Sequence, residues 1–482
     1  MLSRSFLPDA EKPKLLAYTP MFHARHFGKD EKYRRAHFEA TRKGTTGNDA
    51  APWLDGNPKI DRPLFVQFCA NDPEHLLAAA REAAPYCDAV DLNLGCPQGI
   101  ARKGHYGAFL QEDQDLIFRL INKLHQELSV PVTAKIRLLD TKEKSLAYAQ
   151  NVLKAGASIL TVHGRRREQK GHLTGLADWE MIKFIRDNLP PETVMFANGN
   201  ILQHGDIQSL MDATGVDGVM SAEGNLSDPG IFAVPPPPGQ EGREYWRGKD
   251  GAGGWRVDAV MRRYLDLLYR YALDLDPPER RPLFMPGEDK TWMTEDKSED
   301  DAAPPAKRQR KEPFTRHTEG PNMHAVKAHL FHLLRHLVSK HTDIRDQLSK
   351  SSREGMPAFE RVLLEVEKRI ATGMEEYVAT NGNDFDAELE TLKDDGAEVE
   401  GESSKGTMRR CKRPWWVAQP IVRPLPSEAM AKGAISLSKK EKKAKEKESD
   451  EAKTKDEKSE EAKAEVDGKK EELAARDELV SG

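Results

Sequence analysis

The chain has 482 residues and a formal net charge of -5, with 38% hydrophobic and 32% charged residues. This balance gives no global attraction to nucleic acid, so any basic surface must be local. The four cysteines lack metal-ligand spacing, no apolar run approaches the ~20 residues of a membrane span, and no signal-peptide core opens the chain. These features indicate neither a disulfide framework nor a zinc site, and they predict a protein of the cytoplasm, the nucleus or both, without a membrane partner.

Short apolar runs alternate with amphipathic helical patterns over residues 14–232. This alternation is typical of a parallel sheet. The predicted fold class is α/β, a TIM (β/α)8-type barrel followed by a small helical domain. A closed barrel needs eight strands, whereas the sequence offers seven, near 14–18, 63–68, 87–93, 131–137, 158–163, 193–198 and 217–221.

The rest of the chain changes in composition after residue 233. Apolar residues at helical spacing predict helices over 257–272, 326–348 and 359–377. The predicted organisation has five parts: a barrel domain (1–233), a linker (234–254), a helical domain (255–380, with a disordered insert at about 275–318), a strap of basic and aromatic residues (405–426) and a low-complexity Lys/Glu tail (427–482).

Several predicted strands end in a polar residue. Because the carboxyl ends of parallel barrel strands meet at one rim, these residues are expected to build a common site. They are Gln67, Asn93, Lys135, His163 and Asn198.

Cys96 follows Asn93 across a glycine turn and is the candidate for chemistry at this rim. A thiol with a pKa of ~8.5 is mostly protonated near neutral pH and can act as a general acid. It is also a competent nucleophile if a neighbour lowers its pKa, and a lone cysteine can simply pack under a loop. The residues themselves leave these three alternatives open.

Two other rim residues also have two interpretations each. The side chain of Lys135 either binds an anion or a polarised carbonyl, or extends from the strand end into solvent. His163 belongs to the site or to the core.

Residues 198–200 and 221–224 are short Gly-containing loops after successive strands, a place where barrels bind phosphate through backbone N–H groups. Together these features suit a flavin mononucleotide.

Six motifs in this order resemble the tRNA-dihydrouridine synthases. They are Asn-Leu-Gly-Cys-Pro at 93–97, Gly-Ala-Phe-Leu at 107–110, Ala-Lys-Ile-Arg at 134–137, Val-His-Gly-Arg at 162–165, Ala-Asn-Gly-Asn at 197–200 and Val-Met-Ser-Ala-Glu-Gly at 219–224. The segments 18–25, 66–73 and 169–171 are similar to the eukaryotic branch of the family, which acts on the adjacent D-loop uridines 16 and 17.

The resemblance implies a flavoenzyme that uses FMN, with NADPH as electron donor and tRNA as partner, and we expect a monomer without a metal. Hydride from reduced FMN would go to C6 of uridine, and Cys96 would protonate C5. The implied flavin contacts are Gln67, Lys135, His163, Asn198, Gly199, Asn200, Ala222 and Glu223. The implied substrate contacts are Asn93 and Arg165.

One departure from the family pattern concerns the start of the barrel. Family members begin with a strand ending in Ala-Pro-Met, and no counterpart precedes residue 14. The alternative hypothesis is therefore a catalytically inactive RNA-binding relative. Another FMN barrel, such as a dihydroorotate dehydrogenase, would share the scaffold but gives no reason for the appended helices.

Four basic segments also have two interpretations each. Residues 165–167 and 102–103 would contact tRNA phosphates or form solvated loops. Residues 409–416 combine cations with two tryptophans, which suits either RNA stacking or a strap that docks on the folded part. Residues 307–311 are either a nuclear localisation signal or a basic run that occurs by chance.

Overall fold

The structure is a computed structural model that describes residues 1–42, 51–294, 321–351, 354–392, 403–420, 422 and 424–431. The chain falls into two compact units, Met1–Arg423 and Pro424–Gly482. The described part of the second unit contains one helix, Pro426–Ala431. The predicted basic run at 307–311 and most of the predicted Lys/Glu tail lie outside the described residues.

Parallel strands form the centre of the first unit. They are β1 (Ala17–Tyr18), β2 (Phe22–His23), β3 (Leu64–Cys69), β4 (Ala89–Leu94), β5 (Val132–Leu138), β6 (Ile159–Arg166), β7 (Val194–Asn198) and β8 (Gly218–Met220). The sheet order is β1-β3-β4-β5-β6-β7-β8, and β2 continues the β1 edge along β3. The seven strand positions agree with the seven predicted from the sequence.

The sheet curls into a partial barrel. Within the described residues, β8 pairs with β7 and forms no ladder with β1 or β2, so the sheet has two edges. Each strand from β2 to β8 is followed by helical structure, as crossover connections between parallel strands require, whereas β1 runs directly into β2. The TIM-barrel-type fold class predicted from the sequence is confirmed.

Nine α-helices accompany the sheet within the described residues, and most of them bury apolar residues in its core. They are α1 (Ala24–Lys29), α2 (Glu31–His37), α3 (Pro73–Ala83), α4 (Gly99–Gly104), α5 (Gln114–Glu127), α6 (Lys142–Lys154), α7 (Trp179–Asp187), α8 (Gly205–Thr214) and α9 (Glu223–Ser227). The predicted cap at Asp72 is present, because its carboxylate accepts a hydrogen bond from the His75 amide at 2.8 Å and Pro73 opens α3.

A second set of helices follows the barrel. It comprises α10 (Val257–Leu267, continued by one π-helical turn to Ala272), α11 (Pro321–Leu333), α12 (Arg335–Lys340), α13 (Thr342–Lys350), α14 (Met356–Ala379), α15 (Asn383–Glu390) and α16 (Ser404–Cys411). The buried faces of α10 to α14 share one apolar core, and Phe6 and Ala233 from the barrel part also belong to it. The helical part is therefore packed on the barrel rather than tethered to it.

Two features of the region after the barrel were not predicted. An antiparallel hairpin of β9 (Tyr245–Arg247) and β10 (Gly253–Trp255) occupies the predicted linker. Residues 275–294 lie in the stretch predicted as a disordered insert, yet they are packed: Phe284 is buried, and Arg280 makes a bidentate ion pair with Glu360. Residues 295–318 of that insert lie outside the described residues.

Candidate active site

The register of the sheet brings the predicted rim residues together. Asn93 pairs with Lys135 across β4 and β5, and His163 pairs with Asn198 across β6 and β7. Gln67 is paired with Asp91 across β3 and β4. The five predicted residues lie at or beyond the middle of their strands, towards the carboxyl end at which parallel barrel strands assemble a site.

The loop that carries Cys96 is held by hydrogen bonds to Asn93. The Asn93 side-chain oxygen accepts bonds from the Gly95 and Cys96 amides, both at 3.0 Å. The Cys96 carbonyl accepts a bond from the Ala108 amide at 3.1 Å. The thiol is partly exposed and unbridged. The backbone of Cys96 is therefore held in a fixed turn directly after β4, and its side chain is partly buried against Cys69 and Tyr106.

Gly107 permits the second loop to approach this cysteine. It has φ +64°, and a Cβ placed there would lie 2.9 Å from the Cys96 Cβ. Such a distance is shorter than real Cβ contacts, and the left-handed backbone also favours glycine. The loop after α4 therefore closes over the backbone of Cys96.

A buried chain of hydrogen bonds connects the sheet interior to the Cys96 turn. The Thr133 hydroxyl donates to Asp91 at 2.7 Å, and the Gln67 amide donates to the other Asp91 oxygen at 2.8 Å. Asn93 then donates to the Gln67 oxygen at 2.8 Å. Burial raises the pKa of the Asp91 carboxyl, and the bonds from Thr133 and Gln67 oppose that rise. Asp91 thus orients Gln67, which orients Asn93.

Lys135 differs from its neighbours because its charge is not neutralised. Its side chain is half-buried, and within the described residues its ammonium forms neither a hydrogen bond nor an ion pair. Burial, and then repulsion from Arg137, lower the pKa of Lys135 to about 8, although Asp91 acts in the opposite direction. An unpaired cation that is partly shielded from water favours the binding of an anionic ligand or a polarised carbonyl.

His163 is held in its neutral form beside Arg165. Burial, followed by repulsion from Lys135, Arg137 and Arg165, places the pKa of His163 well below its ordinary value. Arg165 Nη1 lies 3.0 Å from His163 Nε2. Because a guanidinium only donates, Nε2 must accept, and the ring proton must be on Nδ1. His163 can therefore offer one N–H donor to a ligand.

Arg165, which the resemblance assigns to substrate, is engaged in several contacts within the described structure. Its guanidinium donates to the Gly175 carbonyl at 2.8 Å and to the Asn200 side-chain oxygen at 2.7 Å, in addition to its contact with His163. These bonds connect the loop after β6 to the loop after β7. The geometry makes Arg165 a positioning residue for His163 and Asn200.

The loops after β7 and β8 are compact. Gly199 has φ +122°, and a Cβ at this position would lie 2.6 Å from the Ala177 Cβ. Asn200 has φ +64°, and Asn198 donates to the Met220 carbonyl at 2.8 Å. Ala222 and Glu223 follow at the start of α9. The predicted phosphate-binding loops are therefore adjacent at the end of the sheet, with glycine where a side chain would not fit.

Arg137 is a functional residue that the sequence reasoning missed. It is buried, and its guanidinium donates to the Gly95 carbonyl at 2.7 Å and to the Arg166 carbonyl at 3.0 Å. Burial lowers its pKa to about 10, and the nearby Cys96 acts in the opposite direction. Arg137 therefore joins the turn that carries Cys96 to the loop after β6. The sequence could have indicated this residue, because Arg137 lies two residues after Lys135 and therefore on the same face of β5.

The basic segments differ in how much of their charge is paired. Arg167 contacts Glu112, the Ala108 carbonyl and the ring of Phe109. Residues 102–103 at the end of α4 are exposed.

The strap at 409–416 docks on the folded part. Trp416 is buried against Trp246 and Tyr377, and Arg413 pairs with the buried Asp228 at 3.0 Å. The described structure therefore uses the Trp416 ring for packing rather than leaving it available for RNA stacking.

Two further observations limit the class of the protein. Within the described ranges, no group of three or more His, Cys, Asp or Glu side chains is arranged to hold a metal ion. No helix of those ranges has the length and apolar character that a membrane crossing requires. A curled parallel sheet with a thiol, an unpaired ammonium, a neutral imidazole and glycine loops at its carboxyl rim is a TIM-barrel-type enzyme scaffold.

Comparison with known proteins defines the family. The profile described as "Dihydrouridine synthase (Dus)" matches residues 4–243. The tRNA-dihydrouridine(16/17) synthase [NAD(P)(+)] of Schizosaccharomyces pombe is 41% identical over 411 residues, which cover 85% of this chain and 82% of that protein. The Saccharomyces cerevisiae protein of the same name is 43% identical over 410 residues, 85% of this chain and 78% of that one. A mouse "tRNA-dihydrouridine(16/17) synthase [NAD(P)(+)]-like" protein is 51% identical over 219 residues, 45% and 42% of the two chains.

The chain belongs to the dihydrouridine synthase family, a family of oxidoreductases. The family membership inferred from the six motifs is thus confirmed. The roles of the individual site residues stay predictions.

Proposed function

We propose that this protein reduces uridine to 5,6-dihydrouridine in the D-loop of tRNA, at positions 16 and 17, with FMN as cofactor and NADPH as electron donor. The observation that carries the proposal is the fixed turn that joins Cys96 to Asn93 at the end of β4, where Asn93 is paired with Lys135 of β5. The names of the fungal relatives that align over most of this chain support tRNA uridine as the substrate.

The residues at the rim fit a flavin mononucleotide. The unpaired Lys135 ammonium and the Nδ1–H of neutral His163 supply donors for a polarised ring edge. The adjacent loops at 198–200 and 221–224 would bind the phosphate through backbone N–H groups. Gly199 suits this role because the backbone there is too close to Ala177 to carry a side chain. Gln67 is fixed between Asp91 and Asn93, so its amide is oriented before any ligand arrives. When bound, FMN reduced by NADPH supplies the hydride that C6 of uridine receives.

Cys96 supplies the proton in this proposal. Hydride addition at C6 places negative charge on the uracil, and protonation at C5 completes the reduction. The Cys96 thiol releases that proton and recovers one from solvent, so the ring gains two electrons and two hydrogens in total. A general acid in this position contributes a factor of about 10² to 10⁴ in rate.

The substrate base must leave its stack to reach the rim, because C5 and C6 are inaccessible within a helix. Loop uridines make this step easier, since they are already unpaired. The helical part is proposed to help bind the tRNA. Its residues 321–342 contain Lys327, Arg335, Lys340 and five histidines but no acidic residue, which suits the phosphate backbone.

The test compares Cys96→Ala with Cys87→Ala, a buried cysteine outside the rim. Dihydrouridine is measured by mass spectrometry in an unmodified tRNA transcript, and flavin reduction by NADPH is followed by absorbance without tRNA. We expect Cys96→Ala to lose at least about 100-fold in product formation while it retains flavin and its reduction. Cys87→Ala should keep both activities. Full product yield from Cys96→Ala would refute the assignment of the proton donor.

The open edge between β8 and β1 favours a second candidate, an RNA-binding relative without reductase activity. An unpaired sheet edge beside the cofactor loops would weaken flavin binding. This candidate predicts tRNA binding by a colourless protein. Retention of about one flavin per chain after gel filtration would eliminate it.

A further inference from the structure

A row of aromatic and imidazole rings lies beside the Cys96 loop. Tyr33 and His37 stack with centroids 4.2 Å apart, and His26 lies 5.7 Å from Tyr33. His23 is 4.7 Å from His26 and 5.5 Å from Tyr106. We name these five rings the ring ladder.

The ring ladder is continuous with the proposed catalytic site. Tyr106 is buried in a small cluster with Cys69 and Ala101, and Cys96 packs against that cluster. The next residue, Gly107, is the one that closes on the Cys96 backbone. One end of the ladder therefore adjoins the reactive thiol, and the other end reaches the surface, where His26 and His37 are exposed.

The hydrophobic core explains only part of the ladder, because Tyr33 packs against the core and His37 meets Phe22 with centroids 6.5 Å apart. Other rings form the core itself: Phe22 of β2 stacks on Phe27 of α1 at 5.2 Å, and Phe27 meets Phe68 of β3 at 5.1 Å. These phenyl groups attach α1 to the sheet. The imidazoles of His26 and His37 contribute little to that core because they face solvent.

The charge around the ladder is positive. Residues 24–37 contain five Lys or Arg and two acidic residues. Within the described part of the chain, Arg25, Lys29 and Lys32 form no ion pair, whereas Glu31 is already paired with Arg35. Unpaired cations alternating with flat rings are typical of surfaces that bind single-stranded nucleic acid, because phosphates meet the cations and bases stack on the rings.

We propose that the ring ladder binds the unpaired nucleotides that flank the uridine being reduced, with bases stacked on His26 and His37 and phosphates near Arg25 and Lys29. This inference rests on the proposed function, since it places the same RNA along α1 and α2. The competing explanation is that Tyr33 and His37 merely stabilise the short helix α2 as an i,i+4 pair.

The experiment measures binding of a fluorescently labelled, unmodified tRNA transcript by the full chain carrying flavin. The double variant His26→Ala/His37→Ala removes two exposed rings, and His26→Phe/His37→Phe restores flat rings without imidazole. His125→Ala removes an exposed imidazole from α5 and serves as the matched control. A fully paired RNA duplex of the same length is the second ligand.

We expect the Ala pair to weaken tRNA binding about tenfold or more, whereas the Phe pair stays within about threefold of wild type. The His125 variant and duplex binding should not change. Wild-type affinity in the Ala pair would overturn the proposal. So would equal loss in the Ala and Phe pairs with a matching fall in melting temperature, since that result indicates helix stability alone.

The outcomes also separate this inference from the proposed function. A wild-type protein that binds tRNA and flavin but forms no dihydrouridine would refute the reductase activity and leave the ladder result standing. A wild-type protein that does not bind tRNA would refute both. Loss of product by the Ala pair only at subsaturating tRNA would indicate a binding role, as proposed.

Discussion

Lys135 offers a quantitative test of the site before any ligand is bound. Its pKa falls from an ordinary value of 10.5 to about 8, chiefly through burial. Each pKa unit corresponds to about 1.4 kcal/mol, so the charged ammonium of Lys135 lowers the free energy of unfolding by about 3 kcal/mol. The side chain is half-buried, and we discount this to about 2 kcal/mol for solvent screening.

The pH dependence follows from the direction of the shift. Below pH 8 Lys135 is charged in both states, so the full penalty applies. Between about pH 8 and 10.5 the unfolded chain binds the proton and the folded chain does not, so stability rises with pH. Above this range the penalty is absent. Lys135→Met should therefore stabilise the flavin-free protein by about 2 kcal/mol at pH 7, with a difference that shrinks towards pH 10.5.

Urea unfolding of flavin-free wild type and Lys135→Met at pH 7 and pH 10 measures this difference. Lys183→Met, at an exposed lysine paired with Asp187, is the control and should show no comparable gain. Added FMN should stabilise wild type more than the variant, because the ligand neutralises the buried charge. Destabilisation by Lys135→Met at pH 7, or a difference independent of pH, would show that the ammonium is already solvated or paired.

Two further substitutions test the loop after β7 and the strap. Gly199→Ala should lower the free energy of unfolding by about 1–3 kcal/mol and abolish flavin retention, because the new Cβ would meet Ala177. Gly171 also has a positive φ, +62°, but open space surrounds it. Gly171→Ala should therefore retain flavin in the same absorbance assay. Trp416→Ala should lower stability by about 3–5 kcal/mol in thermal unfolding, since the ring is buried against Trp246, and unchanged unfolding would show that the strap is not part of the core.

Most of the barrel and the position of its site could be predicted from local pattern. Short apolar runs that alternate with helical patterns identified seven of the eight strands of the sheet, and only the short β2 was not predicted. Asn93 and Cys96 are three residues apart, so the turn that joins them is encoded in one short segment. The cap at Asp72 is equally local.

The contacts that organise the site could not be predicted in this way. Gln67 and Asp91 are 24 residues apart, and their hydrogen bond depends on the register of β3 against β4. Arg137 reaches Gly95 across 42 residues, and Arg165 reaches Asn200 across 35. Side-chain periodicity shows which face a residue occupies, but it carries no information about which residue on another strand lies opposite.

The amino-acid sequence by itself determined the class of fold, the family and the identity of the residues at the rim, because strand ends and motifs are properties of short segments. Only the tertiary structure decided that Trp416 packs in the core, that burial lowers the pKa of His163 while Arg165 contacts its Nε2, and that rings from β2, α1, α2 and the loop after α4 form one ladder. These outcomes depend on the packing of segments far apart in the chain, where burial and charge are set by neighbours that no local pattern specifies.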